Sequence, residues 1–181
     1  MNRREALVLL AGTAALPDSL LALGRSVHQR VRAGTPRSFT AHQNETVATI
    51  AELIIPKTDT PGAREAGVPA FIDVMLAEWG DDEQRLMFTT GLANVDERSR
   101  AAFGKEFIGC TPAQQAEILQ DLDYELARLR DAKSDTSKNF FGAMKWLTLT
   151  GYYTSEVGAI SELHYRVVPG RYEPCYPLEQ Q

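Results

Sequence analysis

The run Thr111-Pro112-Ala113-Gln114 constrains the fold of this chain more than any other segment. It supplies a hydroxyl for an N-cap, a proline at the first helical position, where a missing N–H costs nothing, and a glutamine to close a capping box. Behind it, Ile118, Leu119, Leu122, Leu126 and Leu129 recur at helical spacing. That period puts them on one face, and a helix with one apolar face must bury it against other elements.

The same signals repeat along the chain. Asn44 can cap a helix carrying Val47, Ile50, Ala51, Ile54 and Ile55, which Pro56 ends. A polar turn over residues 57–63 follows, and Pro69 suits the first turn of a second helix with Phe71, Ile72, Met75, Leu76 and Trp79 on one face. Asp81 and Asp82 complement the dipole at the start of a third helix, which runs through Leu86, Met87, Leu92 and Val95 toward Phe103 and stops at Gly104. Phe140, Phe141, Met144, Trp146, Leu147 and Leu149 put apolar residues on more than one side of a further segment, which reads as the central helix. Residues 159–165 suit a short helix. The tail, with Pro169, Gly170, Pro174 and Pro177, has no regular period. Period-two alternation persists nowhere, so the expected fold is all-α: a single-domain bundle of about five to six helices with an irregular C-terminal tail.

The N-terminus reads differently. Arg3 and Arg4 precede an apolar stretch from Ala6 to Leu16. This is the layout of an export signal of the twin-arginine type, too short to span a hydrocarbon core that needs roughly 20 apolar residues. Ala6 and Val8 depart from the usual pattern, and Leu7 fits it. The general secretory route and a buried amphipathic helix are the alternatives. Pro17, Gly24, Gly34 and Pro36, with Arg25, Arg30, Arg32 and Arg37, mark a cleavage region and linker whose cut site is ambiguous. The expected division is a signal segment over 1–24, a linker over 25–43 and a helical domain over 44–181. The body then lies on the periplasmic side, and any membrane association is indirect.

Composition narrows the chemistry. Asp and Glu outnumber Lys and Arg by 24 to 19, which leaves no basic surface for phosphate contacts and excludes nucleic acid as an expected partner. His28, His42 and His164 form no metal-binding pair, and the first two fall in the linker as drawn. No phosphate loop, nucleophile elbow or haem-attachment motif occurs, so catalytic, metal and cofactor residues are expected to be absent. Asp121 with Asp123 or Glu125 reads as a solvated helix face. Trp79, Phe140, Phe141 and Trp146 read as core packing more readily than as a cofactor pocket. Cys110 and Cys175 are buried small hydrophobes in a reducing compartment; in an oxidising one they are expected to pair and tie the tail to the body.

Two polar–aromatic segments remain, Thr58-Asp59-Thr60-Pro61-Gly62-Ala63 and Gly151-Tyr152-Tyr153-Thr154-Ser155-Glu156. Tyrosine combines contact area with a polar tip, which suits a partner surface. Alternatively, the tyrosines complete the core and the turn caps helices.

Ile54-Ile55-Pro56-Lys57-Thr58-Asp59-Thr60-Pro61-Gly62-Ala63, Ala66-Gly67-Val68-Pro69-Ala70-Phe71-Ile72-Asp73 and Gly151-Tyr152-Tyr153-Thr154-Ser155-Glu156-Val157-Gly158 together resemble the gluconate 2-dehydrogenase subunit 3 family, over about residues 44–177. The resemblance implies a small, cofactor-free subunit of a membrane-associated sugar or polyol dehydrogenase. Its implied partners are a large FAD-dependent subunit of the glucose–methanol–choline class, often a multihaem cytochrome c carrying haem c, and the twin-arginine export machinery. The large subunit commonly lacks a signal and is thought to cross already bound to the small one. No catalytic residue is carried over. The resemblance implies only an interface role for Asp59, Thr60, Pro61, Tyr152, Tyr153 and Glu156. A self-standing exported ligand-binding or stress protein, and an exported sugar-modifying enzyme, are the competing readings.

Overall fold

In the computed structural model, residues 38–164 are described, and they fold without a strand. Five α-helices follow in order: α1 Ala41–Ile54, α2 Val68–Glu78, α3 Asp82–Phe103, α4 Pro112–Asp131 and α5 Phe140–Tyr153. A 3-10 turn, Phe107–Gly109, joins α3 to α4, and a π-helical turn, Gly158–Glu162, follows α5. The all-α expectation holds for this region. The leader over 1–24, most of the linker and the tail lie outside the described residues.

Local chemistry fixes most helix ends. Thr111 caps α4, its hydroxyl accepting from the Gln114 N–H while the Gln114 side chain accepts from the Thr111 N–H. Asp81 and Gln84 make the same reciprocal pair at α3. Gly104 ends α3 at φ 69°, a left-handed conformation that costs a residue without a Cβ little. The first helix departs from expectation. Its cap is Thr40, boxed with Gln43, and Asn44 lies inside the helix. The folded body thus begins before residue 44: Phe39 is buried in the core, and the Ser38 N–H donates to the buried Asp73 carboxylate at 2.8 Å.

One core joins all five helices. Val47, Ile50, Ile72, Phe88, Leu92, Val95, Leu126 and Met144 are almost fully buried in it. Each such side chain contributes roughly 1.5–3 kcal/mol by leaving water, which makes this the main source of stability. α5 packs against every other helix, so it is central as expected. Its Gly151 lets α2 approach closely, because a Cβ there would sit 2.6 Å from the Phe71 ring.

Several residues placed on apolar faces by their spacing are not covered. Trp79 is 77% exposed, Leu86 66% and Trp146 61%, whereas Phe88, not assigned to the third helix's apolar face, is buried. His42, assigned to the linker, sits on α1. Its Nε2 lies 2.6 Å from Oδ2 of the buried Asp96, whose Oδ1 accepts from the Phe107 N–H at 3.0 Å. Asp96 thereby ties α1, α3 and the 3-10 turn together.

Candidate functional site

The two polar–aromatic segments, some 90 residues apart in sequence, meet in the fold. α5 buries Tyr152 against the core, and its hydroxyl donates to the Pro61 carbonyl at 2.8 Å. Tyr153, one residue on, leaves α5 on a more open side and is 40% exposed, its ring edge-on to Tyr152 at 5.4 Å. This is what helical geometry requires of neighbours, which lie about 100° apart around the axis.

The turn over residues 57–64 is rigidly held by a residue that sequence reading missed. The Glu52 carboxylate, on the last turns of α1, accepts from the Lys57 N–H at 3.1 Å and the Arg64 N–H at 2.8 Å. Backbone bonds from Thr58 N–H to Thr60 O and from Ala63 N–H to Ile55 O close the turn on itself. Outside it, Glu65 accepts from the Lys57 ammonium at 2.8 Å, and that bond, reinforced by the Glu65 charge, raises the Lys57 pKa above the ordinary lysine value. No feature of the local sequence marks Glu52, because its partners lie five and twelve residues ahead and depend on the turn being formed.

Between turn, α5 and π-helical turn lies a cleft of about 400 Å³. Asp59, Thr60, Tyr152 and Tyr153 line it, joined by Ser161, Glu162 and His164, which sequence reading did not nominate. The Thr60 hydroxyl donates to the Glu162 carboxylate at 3.2 Å across its mouth. The carboxylates of Asp59 and Glu156 are exposed and have no partner among the described residues. The candidate residues thus divide. Pro61 and Tyr152 build the scaffold, Thr60 bridges, and Asp59, Tyr153 and Glu156 face outward, with Glu156 not among the residues that line the cleft.

Other candidates have structural partners. Glu125 takes a two-pronged contact from Arg98, at 2.7 and 3.0 Å, and Asp123 pairs with Lys145 at 2.7 Å, as expected of a solvated face. Among the described residues no group of three or more His, Cys, Asp or Glu converges to hold a metal. Cys110 is a buried free thiol, its Sγ 3.5 Å from the Glu106 carbonyl oxygen; Cys175, its expected partner, lies outside the described residues, as do Arg3 and Arg4. None of the described helices is long and apolar enough to cross a membrane.

Searches of curated proteins and of solved structures return no match to the chain. Among family models, that of gluconate 2-dehydrogenase subunit 3 matches residues 41–170. The match begins at the first residue of α1 and takes in all five helices, together with both segments that meet at the Tyr152–Pro61 bond. The chain belongs to the gluconate 2-dehydrogenase subunit 3 family.

Proposed function

We propose that this chain is the small accessory subunit of an exported sugar or polyol dehydrogenase, and that it binds, stabilises and co-exports a large FAD-dependent subunit. The family name denotes a subunit of a multi-subunit gluconate dehydrogenase, and the match over residues 41–170 is the observation that carries the reading. In this account the chain holds no cofactor itself. FAD resides in the large subunit, haem c in a cytochrome c subunit, and the complex works on the periplasmic face of the inner membrane. The arginine pair before the apolar run supplies the export signal for both chains. The outward side chains Asp59, Tyr153 and Glu156 supply partner contacts, held in place by Tyr152, Pro61 and Glu52.

Deleting the gene tests this. The large flavoprotein should then remain in the cytoplasm, and dye-linked sugar oxidation should disappear from the membrane fraction. A flavoprotein that still reaches the periplasm with full activity would contradict the proposal.

A further inference from the structure

A helix that is apolar all round belongs inside a larger body, because water would otherwise meet one of its faces. α5 is such a helix. Its inner face carries Phe141, Met144, Leu147 and Tyr152, all buried. Its outer face carries Trp146, Leu149 and Tyr153, which are 61%, 43% and 40% exposed. Spacings of three and four residues put these three on one stripe.

At the Trp146 end the stripe opens into a groove of about 480 Å³ between α2, α3, α4 and α5, walled also by Trp79, Met75 and Met87. Both tryptophans of the chain stand at this groove. Trp and Arg are the residues most enriched where binding energy concentrates, and methionine suits surfaces that adapt to a partner. Arg130 lines the groove, its guanidinium unpartnered among the described residues, and no Asp or Glu joins it there, although the chain carries a net charge of −5.

We propose that the α5 stripe and this groove form the main docking surface for the large subunit, receiving an apolar segment that bears a carboxylate opposite Arg130. This rests on the reading of the chain as a subunit of a complex. The charge pattern selects the occupant. A second copy docking groove to groove would bring no carboxylate from its own groove lining to Arg130, since that lining has none. A small enclosed ligand is disfavoured because pockets for such ligands bury most of the ligand surface, whereas both indoles here stand largely in water. A broad partner surface covers them; a small molecule would not.

The two tryptophans make the surface observable. The full chain labelled with 5-fluorotryptophan should give two fluorine resonances, both open to a soluble quencher in the isolated subunit. Adding the unlabelled, FAD-loaded large subunit should shift both and shield them. In pull-downs of that subunit, Trp146→Ser, Leu149→Ser and Arg130→Glu should each weaken association by tenfold or more while melting temperatures stay near wild type.

Wild-type capture of the flavoprotein with unmoved resonances and undiminished binding by the variants would overturn the docking surface and leave the complex standing. Failure of the wild-type chain to bind it would overturn both. Indoles already shielded in the isolated chain would mean that the chain's own segments or a second copy cover the groove, which also contradicts the proposal.

Discussion

The Tyr152 hydroxyl donates to the Pro61 carbonyl at 2.8 Å and so fastens the C-terminal end of α5 to the turn behind α1. Tyr153, its neighbour, makes no such bond and faces solvent. The pair separates folding from recognition. Tyr152→Phe keeps the ring and loses one hydrogen bond, so it should lower stability by about 0.5–1.5 kcal/mol in urea denaturation. Tyr152→Ala also empties a buried aromatic site and should cost roughly 3–5 kcal/mol. Tyr153→Ala loses the edge-on contact with Tyr152 and should cost about 0.5–1.5 kcal/mol of stability, well short of Tyr152→Ala, while weakening association with the large subunit by about 1 kcal/mol or more. Equal losses of stability at both positions would place Tyr153 in the core.

Asp96 is the second structural anchor, holding His42 with one oxygen and the Phe107 N–H with the other. Asp96→Ala strands a buried N–H and should cost about 1–3 kcal/mol. Asp96→Asn retains an acceptor and should recover part of that loss. Thermal melts of the two variants check it, and indistinguishable melts would mean that the acceptor contributes nothing.

The sequence shows some of this architecture and hides the rest for physical reasons. Caps are local, so Thr111 and Gly104 could be read directly, and Asp81 marked the start of α3 by its charge although its box with Gln84 was not anticipated. Thr40 and Gln43 form an equally good box, but they stand just after a basic stretch with Gly34 and Pro36, which drew the linker past Ser38, the buried Phe39 and the cap itself. Periodicity tells which residues share a face and not whether anything covers it. Trp79, Leu86 and Trp146 were therefore placed inside, and the structure exposes them. The resemblance implied an interface role for the 58–63 and 151–156 segments and did not place them together. The bond that joins them is a long-range contact, as is the His42–Asp96 pair, and spacing carries no signal for either.

Cys110 and Cys175 are proposed to pair in the exported protein. Cys110 lies by the 3-10 turn that Asp96 links to His42 near the start of α1, while His164 lines the cleft beside Ile55, just past the end of α1. The stretch from His164 to Cys175 can extend to roughly 40 Å, against a length of roughly 21 Å for α1. Digestion of non-reduced, thiol-blocked protein should yield one linked peptide pair by mass spectrometry. Two alkylated cysteines in protein taken from the periplasm would exclude the bridge.

Export should depend on the arginine pair. Replacing Arg3 and Arg4 with lysines should hold both this chain and the large subunit in the cytoplasm, as seen by fractionation and immunoblot. Wild-type distribution of both proteins would rule out the twin-arginine route.

The account stands most directly on what this subunit carries. Affinity purification of the tagged full chain from its native host, followed by visible spectroscopy and protein identification, measures it. The predicted result is a stoichiometric large subunit of the glucose–methanol–choline class with a flavin spectrum and dye-linked sugar or polyol oxidation. A chain that purifies alone, colourless, from cells actively making the dehydrogenase would contradict the account.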